Sequence, residues 1–337
     1  MSLNGVLWKE RVAIVRKICL SIHSGVKDTW MRSNTPQEPD FVAGLVLVSS
    51  PLIHKALSTI LFPYSVQIAT CAVYCHQSPK VKFSRGSPCE LGDLLFVHVH
   101  TSANGDVERR NALLYQAKVA SAPHRRRLDK KELHQLRLYT EWPDFLYQLP
   151  QRLSGQWRFV TPKLPHTGAQ YMLIDKRPLG HQGARLPATC PIGSCMPDQF
   201  LQYHNHLARE LFEVLILRSG RPFADRAHGS RCNGWSQVVW DLLDVGFTRT
   251  FRRAVYGENL RWGGDASVYD GCYFGQTTSS MAYTTVADII GKSSADRLMS
   301  SPPSDERPKH DGKPEPESGV SVILVETQDE AKSPQGG

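Results

Sequence analysis

Two apolar runs, LLFVHVH (94–100) and NALLYQAKV (111–119), flank a short polar connection containing Ala103-Asn104-Gly105-Asp106. Asn-Gly tolerates the positive φ angles of tight turns, so the stretch is expected to form a β-hairpin. Residues two apart on a strand share a face, as Gln116 and Lys118 do on the second run. Asp93 opens the first run after Gly92 and would lie near both at the open end of the hairpin. Glu90, three residues earlier, is a further acid within reach. A hairpin built for stability alone needs none of these groups there.

The rest of the chain implies a sheet with helices packed on it. The first 62 residues look mainly helical, and Ser49-Ser50-Pro51 reads as a helix start. VQIATCAVYC, KVKF, WRFV and QYMLID read as strands, and LDKKELHQLRLYTEW as a helix closed by Pro143. The expected class is α/β (α+β): a mixed central sheet flanked by helices in residues 1–180, with hairpin 90–120 and helix 129–142. After a Pro- and Gly-rich break, 181–292 is expected to be a mainly helical portion packed on that core. QFLQYHNHLARELFEVLILRSG reads as one helix, and WSQVVWDLLDVGFTRTFRRAVYG as another, interrupted or ended near Gly246. Residues 293–337 form an expected disordered Ser/Pro/charged tail. It holds one β-type segment, 320–326, which would return to the parent sheet or dock on a protein partner.

Composition narrows the partners. The chain has 337 residues, a formal net charge of +8 and a sequence pI of about 9.1, which favours an anionic partner, nucleic acid first. No apolar run approaches the roughly 20 residues of a membrane span, and the N-terminus lacks the apolar centre of a secretory signal. The reading is an intracellular, cytoplasmic protein without a membrane partner. The eight cysteines have no paired zinc spacing.

An acid, an amide and a lysine on one face suit phosphodiester hydrolysis. Mg²⁺ takes hard oxygen ligands, commonly one or two carboxylates with water and phosphate oxygen, and lowers the pKa of the attacking water. A lysine can orient that water and offset developing charge. Gln135 and Tyr139, four apart on the following helix, share its face and would contact nucleotide or brace the lysine. Arg125, Arg126 and Arg127, in the run His124–Arg127, would contact phosphates or form a solvated loop. His98 and His100 share a strand face and read as a solvated polar face. Trp142, Trp157, Trp235, Trp240 and Trp262 would stack bases or, for most of them, fill the core.

The order Gly92-Asp93, Gln116-x-Lys118, Gln135-x-x-x-Tyr139 resembles the PD-(D/E)XK nuclease superfamily, restriction-endonuclease-like, in its RecB-type branch. The resemblance covers roughly residues 66–143. It implies a Mg²⁺- or Mn²⁺-dependent nuclease, acting on DNA rather than RNA, in defence or genome maintenance. On that template Asp93 is a metal ligand, Glu90 and Gln116 complete the metal site, and Lys118 positions the nucleophile. Gln116 stands where the family usually has an acid, as in Mrr-type members. An acid on an early helix is also common there, and Glu10 is the candidate. The alternative is a catalytically inactive nucleic-acid-binding or scaffold protein that keeps the nuclease fold.

Overall fold

The computed structural model describes residues 2–75, 79–83, 87–120, 125–163, 167–175, 190–226, 234–255, 271–276 and 319–330. Trp262 and tail residues 293–318 lie outside these. The N-terminal layer is α1 (Leu3–Lys9), α2 (Arg11–Arg32), α3 (Glu38–Gly44), a π-helical turn (Leu45–Ser49) and α4 (Ser50–Leu61). Strands β1 (Val66–Tyr74), β2 (Lys80–Lys82), β3 (Cys89–Glu90), β4 (Leu94–Thr101), β5 (Val107–Ala120) and β6 (Arg125–Arg127) follow. Next come α5 (Leu133–Glu141), β7 (Phe145–Leu149), β8 (Trp157–Arg158), β9 (Ala169–Asp175), β10 (Ile192–Cys195), β11 (Phe200–Gln202) and β12 (Asn205–His206). The chain continues with α6 (Leu207–Leu215), β13 (Arg221–Pro222), α7 (Gly234–Val255), β14 (Gly271–Gln276) and β15 (Ser321–Asp329).

The hairpin forms as expected: β4 and β5 pair antiparallel, and Gly105 takes a φ of 84° in the turn. It lies within a nine-stranded mixed sheet ordered β12-β10-β9-β5-β4-β15-β1-β14, with β13 paired to β5. Both faces are buried, which is why the strands read as nearly unbroken apolar runs. Leu95, Val97, Val99 and Leu114 pack with α5 and α7 through Leu138, Tyr139, Trp142, Trp235 and Leu242. Leu94, Phe96, Leu113 and Tyr115 face the N-terminal helices and α6.

Segment 320–326 is not a tail element. It belongs to β15, which lies between β4 (parallel) and β1 (antiparallel) and is the link that joins them. Of its two expected fates, it takes the return to the parent sheet. The portion 181–292 also departs from expectation. Besides α6 and α7, its described residues supply β10, β12, β13 and β14 to the central sheet, so it is not merely a cover. Phe200–Gln202 is a strand, because it pairs with Arg125–Arg127, and the helix expected over that stretch starts only at Leu207. Helix α7 runs through Gly246 to Val255.

α4 starts at Ser50 with Pro51 in its first turn, as Ser49-Ser50-Pro51 implies, but this is not a free helix start. α3, the π turn and α4 are continuous, and the widened turn accommodates Pro51, which has no N–H to donate. As a result Glu38–Tyr64 is one helix of 27 residues holding an 18-residue stretch of mean hydropathy 1.6, which by length and composition is enough to cross a bilayer. That corrects the expectation that no segment approaches such a length. Phe41, Val42, Leu45, Val46, Ile53, Leu57 and Leu61 of this helix are buried in the core, where it packs on α2 and β1.

Candidate active site

Strand β5 is longer than its partner. β4 begins opposite Tyr115, so among the described residues the main chain of β5 beyond that point has no strand on the β4 side. Its N–H groups there need acceptors. The N–H of Ala117 donates to Asp93 Oδ2 at 2.7 Å, and that of Val119 to Glu38 Oε1 at 3.2 Å. Two carboxylates thereby cap consecutive outward N–H groups of one strand, which a β rise spaces roughly 7 Å apart. Gly92 permits the approach of Asp93, because a Cβ there would stand 2.7 Å from the Leu114 side chain.

Gln116 and Lys118 share the sheet face beneath α5. Gln135 and Tyr139 both turn their buried side chains toward it. Gln135 Nε2 donates to the main-chain oxygen of Glu90 at 3.0 Å and also to Gln116 Oε1. Gln116 Nε2 in turn donates to Asp93 Oδ2. This chain has a direction. The Glu90 carbonyl requires an N–H from Gln135, which commits the Gln116 oxygen and leaves its nitrogen facing Asp93. Gln116, expected to ligate metal through oxygen, instead holds the Asp93 carboxylate in place. Tyr139 is not at a nucleotide-facing surface: its hydroxyl donates to Leu91 O at 2.7 Å, and burial pushes its phenol well above the usual range. It braces the segment that leads into Asp93.

Lys118 Nζ lies 3.0 Å from Glu132 Oε1. The other oxygen of Glu132 accepts from Asp129 N at 2.9 Å, while Asp129 Oδ1 accepts from Glu132 N at 3.0 Å. This reciprocal cap at the entrance to α5 fixes the glutamate that meets the lysine. Arg126 donates to the same Oε1 at 2.7 Å and reaches Glu38 Oε1 at 3.4 Å. Of the three arginines expected to contact phosphates, Arg126 is thus already engaged by acids, while Arg125 and Arg127 are exposed.

Asp93 carries the electrostatic signature of the site. Burial, then the charge of Glu90, pushes its carboxyl up to about 7; the Ala117 N–H and Lys118 oppose the rise, and Glu38 adds to it. Burial and the neighbouring acids together therefore outweigh the donors that favour its charged form. Asp93 and Glu38, with Glu90 nearby, are hard oxygen donors of the kind Mg²⁺ uses alongside water and substrate phosphate, so the residues fit that ion in type. Among the described residues no three His, Cys, Asp or Glu side chains converge into a metal cage made by protein alone.

Glu38 is the site residue that sequence reasoning missed. Glu10, the acid expected from an early helix, instead accepts a hydrogen bond from the Tyr64 hydroxyl. The available signal was an acid at the first turn of a helix, in Gln37-Glu38-Pro39, but nothing in the sequence shows that this turn reaches β5.

The other candidates separate cleanly. His98 and His100 are each 1% exposed and bond to Thr327 of β15, so they are core residues rather than a solvated face. Trp142, Trp235 and Trp240 are buried, whereas Trp157 is 51% exposed. No family model, no curated protein and no solved structure matches this chain.

Proposed function

We propose that the chain is a divalent-metal-dependent nuclease of the PD-(D/E)XK type that hydrolyses phosphodiester bonds in DNA. The observation that carries this reading is the pair of carboxylates on consecutive edge N–H groups of β5, Asp93 with its raised pKa and Glu38, beside Lys118. Asp93 and Glu38 would hold Mg²⁺ or Mn²⁺, with Glu90 adding negative potential. The ion supplies Lewis-acid polarisation of the phosphate and a more acidic bound water. Gln116 and Gln135 fix the orientation of the Asp93 carboxylate, which leaves it ready without reorganisation. Lys118 orients the attacking water and offsets charge on the phosphoryl oxygens. A substrate phosphate near Lys118 and Arg126 competes with Glu132 for both cations.

A second reading, a catalytically silent nucleic-acid-binding protein with the same fold, is favoured by one observation. Gln116 turns an N–H toward Asp93 where an acid would have given a second ligand on that face. One assay divides the two. Labelled single-stranded DNA, duplex DNA and RNA are incubated with the protein and Mg²⁺ or Mn²⁺, beside Asp93→Ala and Lys118→Ala. Cleavage by the wild type that falls roughly 10²–10⁴-fold in each variant is the expected result. No cleavage of any substrate, or equal cleavage by the variants, overturns the nuclease reading; salt-dependent binding without cleavage supports the second.

A further inference from the structure

β6 and β11 form a two-stranded antiparallel ribbon that pairs Arg127 with Phe200, Arg126 with Leu201 and Arg125 with Gln202. Side chains alternate across such a ribbon. Buried Leu201 and the acid-bound Arg126 take one face; Arg125, Arg127, Phe200 and Gln202 share the other, and all four are exposed. Phe200 is 60% exposed, and the Arg127 guanidinium lies 5.2 Å from its ring centre. The ribbon borders a cleft of about 730 Å³ that reaches Val119, the residue after Lys118. That volume is within the range of pockets that hold small ligands.

The chemistry of this face is selective. Arginines alone suit any phosphate backbone, because that attraction ignores strandedness. An exposed aromatic ring beside them adds what only an unpaired strand can use, since a duplex hides its base faces in the stack. We propose that the β6–β11 ribbon is a platform for single-stranded nucleic acid. Phe200 stacks on a base, with Arg127 against the ring, and Arg125 and Arg127 take the adjoining phosphates. The ribbon thereby selects single strands, or single-stranded segments of larger substrates, for the neighbouring site. The delivery step rests on the nuclease reading; the binding surface does not.

Binding is measured on the full chain in EDTA, where cleavage is off, by anisotropy of a labelled oligothymidylate of about 20 nucleotides. A duplex and an abasic phosphodiester of the same length serve as the comparison probes. The wild type should prefer the single strand over both. Phe200→Ala should weaken single-strand binding about 10-fold and leave the abasic probe unchanged, and Phe200→Tyr should restore the affinity. Arg125→Ala combined with Arg127→Ala should reduce the salt slope of single-strand binding by about 1.4. The proposal is overturned if Phe200→Ala binds the single strand as the wild type does, if it weakens single-strand and abasic binding equally, or if the duplex binds as tightly. Absence of cleavage with Mg²⁺ would overturn the nuclease reading alone and leave these binding results to stand.

Discussion

His98 and Asp93 sit five residues apart along one strand and its entrance, and burial acts on both. Toward the turn, burial, then His100 and Arg109, push the His98 imidazole down to about 3, so it is neutral and its Nε2 meets the Thr327 hydroxyl at 3.1 Å. At the open end burial pushes Asp93 up to about 7, and Glu90 and Glu38 push the same way. Both shifts favour the uncharged form. The difference lies in what surrounds each group. The histidine has neighbours that suit its neutral state, while the aspartate receives N–H bonds that suit its charged state and acids that oppose it. Polar residues inside a sheet do not by themselves mark a site. What makes Asp93 the candidate is the conflict between hydrogen bonds that favour its charge and burial and like charge that oppose it.

The largest expected effect tests whether the turn end is structural. Thr327 belongs to β15, as do the buried Val322, Ile323, Leu324 and Val325, with Val320 just before the strand. Each such side chain contributes roughly 1.5–3 kcal/mol through burial, so losing all five exceeds the roughly 5–15 kcal/mol by which ordinary domains are stable or consumes most of it. A chain ending at residue 318 should therefore show no cooperative thermal transition by circular dichroism. A melt like that of the full chain would mean that the histidine end does not depend on the strand that fastens it.

The legible parts of the molecule were those encoded locally. Asn104-Gly105 between apolar runs gives the hairpin, and the four-residue spacing of Gln135 and Tyr139 places both on the buried face of α5. What the sequence hid depends on contacts between distant segments. β15 pairs with β4 across more than two hundred positions, and no local pattern separates a strand returning to its own sheet from one offered to a partner. Glu38 reaches the site through a main-chain N–H left open because β4 is shorter than β5, and unequal strand lengths leave no mark in composition. Phe200–Gln202 merged into the helical pattern that follows it, and only its pairing with the arginines makes it a strand. That same pairing splits the arginine run between two faces, so three adjacent basic residues have two different surroundings.

The opposite titrations give a second test. Asp93 has a folded pKa above its unfolded value near 3.9, so its contribution to stability is complete below about pH 4 and is lost as pH rises through 7. His98 has a folded pKa below its unfolded value near 6.5, so its contribution is complete above about pH 6.5 and is lost as pH falls toward 3. In EDTA at pH 8, Asp93→Asn should stabilise the protein by roughly 1–3 kcal/mol, a value reduced because the group is partly open to solvent. His98→Asn should instead destabilise it at pH 8 and flatten its loss of stability between about pH 6.5 and 4. Urea unfolding across this range measures both. If Asp93→Asn destabilises the protein at pH 8, the carboxylate is an ordinary structural acceptor and the two ends of the hairpin do not differ in kind.

The finest distinction concerns Gln116. Its amide accepts from Gln135 and donates to Asp93, so one side chain satisfies both neighbours without adding charge. Gln116→Glu keeps the acceptor facing Gln135 but places a carboxylate against Asp93, where like charges cannot both ionise cheaply. Without metal this should cost about 1–2 kcal/mol at pH 8 and move the titration of the pair further upward. With Mn²⁺ the same change supplies another hard oxygen, and metal affinity measured by calorimetry should rise about 10-fold. The two shifts must appear together, because a single cause, uncompensated acid charge at the open end of the hairpin, produces both. A variant that loses stability and gains no affinity would show that the carboxylates of this site do not converge on a common ion, and the contrast with the histidine end would then be one of strain rather than of function.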